Sequence, residues 1–285
     1  MVNPFSVKMD CVTVQLISVL WSIVVAPVFL DNGHIRIEFS PEDFQVVFVG
    51  IPNGKNFLEV VKLEREKTAE GNEHKEAFSS DLLPYKGLDP VLRYGPGVVK
   101  ELSREHVVAE SPLSTMYGVR IRKEIRLYPA QPKASMRVTV LSESDAPMDL
   151  AIRNTARLPQ DSTIRVEKRG DSMKVLAGAD SLAPWVVNSV RYWLVPIPPT
   201  SHADQVILGA VAGEVELENE TGVWVRRILD MPRQPDMLPQ QNSFLCLLDE
   251  KTYTFASVLQ SPWFSCSKSK PLDFREVWTI KKRGK

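Results

Sequence analysis

At 285 residues the chain is long enough to bury a substantial core, as one large domain or two smaller ones. Lys plus Arg equals Asp plus Glu at 35 each, so the formal net charge is zero and the basic excess of a phosphate-binding surface is missing. That balance argues against a nucleic-acid partner, and the 44% apolar content argues against global disorder.

Residues 11–30, CVTVQLISVLWSIVVAPVFL, carry no charge, and three readings compete for them. Lys8 upstream and the small residue closing Val24-Val25-Ala26 favour a secretory signal, whereas Asp10 and Pro27 count against one. The alternation of Val12, Val14 and Leu16 fits a pair of buried strands instead, and a retained membrane anchor is the third reading. Cleavage after Ala26 implies an extracytoplasmic protein with no stable membrane span; core strands imply a cytoplasmic one. Cleavage would also remove Cys11 and leave Cys246 and Cys266, which either pair in an oxidising compartment or remain separate buried thiols. No CxxC or Cys/His spacing points to zinc, so neither a metal nor another cofactor is expected.

The stretch HIRIEFSPEDFQVVFVGIPNGKNFL sets Ile35, Ile37 and Phe39 against Arg36, Glu38 and Ser40, the two-residue period of a strand with one buried face. Asn53-Gly54 further on is a hairpin-turn signal. EREKTAEGNEHKEAFSSD then mixes charges without apolar periodicity and reads as a solvated loop, with His74 a surface residue in it. PYKGLDPVLRYGPG, rich in proline and glycine around Tyr85 and Tyr94, reads as a long irregular connection of the kind that often carries function.

From Val98 the strand pattern resumes in KELSREHVVAES, GVRIRKEIRLYP, ASMRVTVLSES and MDLAIRNTARLP. Val119 and Ile121 share a face, Ile125 and Leu127 are read as continuing after a one-step slip, and Arg120, Arg122, Glu124 and Arg126 are expected to form ion pairs on a solvated face. STIRVEKR, SMKVLAG, WVVNSVRYWLVPIPP, QVILGAV, GVWVRRILDM, SFLCLLDE, YTFASVLQSPWF and FREVWTIKK extend the theme, with room between them for short helices only. No repeat at propeller period, heptad or glycine-rich phosphate loop is present. The expected fold is all-β: a large antiparallel β-sandwich over residues 31–285, preceded by the segment 1–30.

Four stretches, DNGHIRIEFSPEDFQVVFVGIPNGKNFL, SPLSTMYGVRIRKEIRLYP with ASMRVTVLSESDAPMDLAIRNTARLP, LDMPRQPDMLPQQNSF, and SVLQSPWFSCSKSKPLDFREVWTIKK, resemble the galactose-mutarotase-like sugar-binding supersandwiches, including their uncharacterised secreted branch. The resemblance implies a carbohydrate partner and, in members with epimerase activity, a histidine acid and a glutamate base that open the sugar ring. Here the strand end that should carry the histidine reads IRNTARLP, and the late strand that should carry the glutamate reads SVLQSPW with Gln260. An amide is no general base, so the resemblance implies a carbohydrate-binding protein lacking the usual acid/base pair. A divergent sugar epimerase or related carbohydrate-active enzyme and a non-catalytic structural module are the alternatives.

The candidate sugar site is a concave sheet face carrying Asn154, Arg157 and Gln260 as hydrogen-bonding groups and Trp263 as a platform for a pyranose face. His106, beside Glu105 and Glu110, and Glu276 on the last strand are the remaining acid–base candidates; His202 lies in a proline-rich loop. Trp185 and Trp193 of WVVNSVRYW share a strand face and are expected in the core.

Overall fold

A computed structural model describes residues 26–63, 74–84, 89, 91–92, 95–159, 161–169, 173–177, 186–196, 206–231, 235–249 and 254–283. Residues 11–25 of the apolar N-terminal segment, most of the charged loop, Tyr85, Tyr94, Trp185 and His202 lie outside the described residues.

The strands in chain order are β1 (Val28–Asp31), β2 (Arg36–Ser40), β3 (Gln45–Gly50), β4 (Val61–Leu63), β5 (His74–Glu76), β6 (Phe78–Leu83), β7 (Val98–Leu102), β8 (His106–Glu110), β9 (Val119–Leu127), β10 (Lys133–Ser142) and β11 (Met148–Arg157). They continue with β12 (Thr163–Glu167), β13 (Lys174–Ala177), β14 (Val187–Asn188), β15 (Tyr192–Pro196), β16 (Val206–Ala210), β17 (Glu214–Asn219), β18 (Gly222–Ile228), β19 (Phe244–Asp249), β20 (Thr254–Gln260), β21 (Phe264–Cys266) and β22 (Leu272–Lys282). Between β18 and β19 lie a single 3-10 turn, Pro235–Met237, and a second tight turn, Pro239–Gln241, whose Gln240 and Gln241 have left-handed φ values.

Two large antiparallel sheets result, which is the expected all-β sandwich. The first runs β1-β2-β3-β6-β11-β20-β19-β16-β13, with β21 also on β11; the second runs β14-β15-β12-β17-β18-β22-β10-β9-β8-β7. The small ribbon β4-β5 forms a separate two-stranded sheet beside the first. Inward residues of the two sheets form one apolar cluster, in which Phe78 meets Trp278 and Trp278 meets Trp224 edge to face, both at 5.2 Å between ring centroids. Trp193 belongs to this core, as its strand face required.

Several local expectations change. The β2-β3 hairpin closes at the Pro41–Phe44 turn rather than at Asn53-Gly54, and Phe44 takes a left-handed φ of 52° there. Asn53, at φ 62°, and Gly54 instead close a tight turn after β3; Asn56 then acts as a strand partner, donating to the Val47 carbonyl and accepting from the Val49 amide.

No slip occurs in β9: Val119, Ile121, Lys123, Ile125 and Leu127 share one parity and all point inward. Lys123 is therefore a core residue. Its Nζ donates to the Phe44 carbonyl at 2.6 Å and lies 4.4 Å from the Phe44 ring centroid. Burial pushes this amine down to about 7, against the opposing pull of the Asp81 charge. The alternate residues of β9 form the expected solvated ion pairs, Arg122 with Glu110 at 2.6 Å and Arg120 with Glu143 at 3.4 Å.

Cys246 and Cys266 are both buried free thiols. Register explains why they stay apart: Cys246 lies beside Ser257, which opposes Ala156, whereas Cys266 opposes Met148. Eight positions of β11 separate them, roughly 25 Å at strand rise, far beyond the about 7 Å that a disulfide spans between Cα atoms.

Candidate functional site

Strand β11 lies near the centre of the first sheet, and its alternation assigns each of its polar side chains to a face. Leu150, Ile152, Asn154 and Ala156 point into the core; Arg153, Thr155 and Arg157 point outward. Asn154 and Arg157, three positions apart, are thus on opposite faces, and the expected site containing both does not exist. Asn154 is fully buried and donates from Nδ2 to Glu276 Oε1 at 2.9 Å.

Glu276 is equally occupied. The Arg226 guanidinium grips it bidentately, Nε to Oε2 and Nη2 to Oε1, both at 2.9 Å, and Trp278 Nε1 donates to Oε2 at 2.9 Å. Arg226 also donates to the main-chain carbonyls of Ser257 and Asn154, at 3.0 and 3.3 Å. This cluster ties β18 and β22 of one sheet to β11 and β20 of the other inside the core. His106 is on the outer face of the second sheet, with Nε2 3.1 Å from Glu124 Oε1. His106 and Glu276 therefore lie on opposite faces of the second sheet and make no acid–base pair.

On the outer face of the first sheet the structure brings together a different set. Gln260 lies directly across from Arg153, and Asp81 lies across from Arg153 on the other side, so β6, β11 and β20 align Asp81, Arg153 and Gln260 in one row. Arg153 donates to Gln260 Oε1 from Nε at 3.2 Å and from Nη2 at 3.1 Å. Gln260 is buried and its Nε2 donates to the Asn242 carbonyl at 3.1 Å, while Arg153 and Asp81 are half-buried.

Arg157 shares this face but lies four positions along β11, about 13 Å from the row at strand rise. Its Nη2 is 2.5 Å from Glu76 Oε2, with 12% and 1% of the two side chains exposed.

The row ends at a loop. After Gln260, Ser261–Trp263 interrupt the strand, β21 resumes the pairing with β11, and half-buried Trp263 donates its backbone N–H to the Met237 carbonyl at 2.8 Å. Residues 235–242 are thereby fastened at two points, to Trp263 through Met237 and to Gln260 through Asn242. The approach is close: a Cβ on Gly209 of β16 would fall 2.7 Å from Leu176 Cδ1 and 2.9 Å from Asn242 Cγ, so a larger residue there would have to displace those two side chains.

Of the four sequence-derived binding residues, Gln260 and Trp263 flank this loop, Arg157 is displaced, and Asn154 is in the core. Asp81 and Arg153, which the structure sets in one row with Gln260, were not among them. The alternation of Leu150 and Ile152 could have placed Arg153 outward, whereas only long-range pairing brings Asp81 beside it. Among the described residues no group of three or more His, Cys, Asp or Glu side chains forms a metal cluster, and no helix is long and apolar enough to cross a membrane.

Comparison with known proteins gives no match to any family model and none to a curated protein by sequence. Solved structures do match. A galactose mutarotase-like protein from Lactobacillus casei superposes with a TM-score of 0.56 at 10% identity, over 90% of this chain and 100% of that one. A galactose mutarotase related enzyme from Lactobacillus acidophilus gives 0.54 at 11% identity, over 90% and 98%. A TPR-domain containing protein from Parabacteroides distasonis gives 0.58 at 9% identity, over 90% of this chain and 47% of the longer one. At such identities the likeness concerns architecture, and it agrees with the resemblance carried by the sequence stretches: the chain has the galactose-mutarotase-like fold.

Proposed function

We propose that the protein binds a carbohydrate on the outer face of its first sheet, at the row Asp81, Arg153 and Gln260 bordered by Trp263, and that it does so without catalysing ring opening. The observation that supports this reading is the Arg153–Gln260 pair, a guanidinium and an amide hydrogen-bonded side by side beneath a closely packed loop. Such groups satisfy sugar hydroxyls in a partly dry cleft, and a tryptophan covers the C–H face of a pyranose. A mutarotase needs one group to take the anomeric proton and another to protonate the ring oxygen. Arginine and glutamine do neither at neutral pH.

Export from the cytoplasm, with cleavage after Ala26, belongs to the same reading: β1 begins at Val28, so the sandwich retains its first described strand after such a cut.

A glycan array followed by saturation-transfer NMR on D-galactose and D-glucose tests the proposal. Saturable binding that weakens in Trp263→Ala and Gln260→Ala, with anomer exchange no faster than buffer, is the expected result. Asp81, the carboxylate of the row, favours a second reading as a divergent epimerase; accelerated exchange lost in Asp81→Asn would establish that instead. Failure to bind any glycan would leave a structural module.

A further inference from the structure

The loop beneath which Gln260 is buried carries two successive residues in the left-handed region, Gln240 (φ 51°, ψ 25°) and Gln241 (φ 60°). Non-glycine residues seldom occupy this region because their Cβ crowds the carbonyl oxygen, and Asn or Asp are the side chains that visit it most readily. Two glutamines in tandem therefore store strain where Gly or Asn would relieve it. The surroundings hold the turn: the Gln241 amide donates to Leu238, the Asn242 amide to Pro239, both at 3.0 Å, and Asn242 Nδ2 donates to the Gln240 carbonyl at 2.6 Å. Leu238 and Pro239 are buried while both glutamine side chains are exposed, so neither glutamine is held there by packing.

We infer that Gln240 and Gln241 are ligand-contacting residues that set specificity at the rim of the Arg153–Gln260 row, their amides hydrogen-bonding hydroxyls of a bound sugar. The inference rests on the sugar-binding reading of this face. Its own support is the coincidence of strain, exposure and attachment: the strained pair is anchored through Asn242, whose carbonyl accepts from Gln260 and whose side chain packs over Gly209. Backbone strain of this kind concentrates where a side chain must be presented to a ligand. The primary amide, donor and acceptor at once, matches a hydroxyl in both roles.

The test compares wild type with Gln240→Gly/Gln241→Gly and Gln240→Asn/Gln241→Asn, reading melting temperature without ligand and titrating D-galactose, D-glucose and lactose by tryptophan fluorescence. The glycine pair should melt higher, by about 2 °C or more, yet bind the preferred sugar about tenfold more weakly, roughly the loss of two neutral hydrogen bonds. The asparagine pair, tolerant of the backbone and still bearing amides, should fall between. A glycine pair with unchanged affinity, or one that loses affinity and also melts lower, overturns the inference, because the turn would then be idle or merely structural. Wild type that binds none of these sugars, nor any glycan on the array, removes the sugar reading itself before any variant is compared.

Discussion

The guanidinium of Arg226 and the carboxylate of Glu276 are joined by two hydrogen bonds of 2.9 Å with neither side chain exposed. Arg226 lies 5.1 Å from the Phe78 ring centroid, so the pair is walled by aromatics as well as satisfied by Asn154, Trp278 and two carbonyls. A buried ion pair stabilises little over an apolar substitute, but removing one partner strands the other charge. Glu276→Gln should lower stability by about 3–5 kcal/mol in urea denaturation. Arg226→Leu with Glu276→Leu should cost clearly less than the two single changes added together. Additive losses would mean the two groups do not act as a pair.

Asn154 and Gln260 are one strand apart, yet their substitutions should separate cleanly. Asn154→Ala removes a donor to Glu276 within the core and should cost about 1–3 kcal/mol of stability while leaving sugar affinity unchanged. Gln260→Ala removes the acceptor of Arg153 on the outer face and should weaken binding severalfold. Thermal melts with and without the array's best sugar read both quantities at once. A binding loss confined to Asn154→Ala would move the ligand into the core side of β11.

How much of this was legible beforehand follows from the range of each signal. Alternation is local, so Ile35, Ile37 and Phe39 declare a strand without reference to anything else, and the sandwich class follows from many such stretches. The same rule applied to LAIRNTAR separates Asn154 from Arg157, because Leu150 and Ile152 fix the inward parity; choosing residues by chemical type alone obscured it. Lys123 breaks the apolar run of β9 and invites a slip that is not there, since the cation is accommodated by the Phe44 carbonyl 79 positions away. Arg226 with Glu276, and Asp81 with Arg153, are joined only by long-range strand order. No spacing in the chain encodes that order.

Lys123 gives stability a predictable pH dependence. Its folded pKa is depressed to about 7 by burial, below the ordinary lysine value of 10.5. Between those values the unfolded chain binds the proton that the folded chain has released, so stability rises with pH across about 7 to 10, by up to a few kcal/mol, and is insensitive to this group below both. Urea denaturation across that range should show the rise in wild type and a flatter profile in Lys123→Met. Parallel slopes in the two proteins would exclude Lys123 as the source.

The thiol count tests the N terminus and the disulfide together. Cys246 and Cys266 are free, buried and roughly 25 Å apart by register, so export should leave them unpaired even in an oxidising compartment. Cys11 precedes the expected cut after Ala26. Secreted protein, denatured without reductant, should therefore titrate two thiols per chain with Ellman's reagent, and N-terminal sequencing should begin at Pro27. Three thiols with an intact Met1 in a cytoplasmic fraction would refute export and return residues 11–30 to the reading as core strands. No free thiols in denatured monomer would require a Cys246–Cys266 bridge, which the register of β11, β19, β20 and β21 forbids.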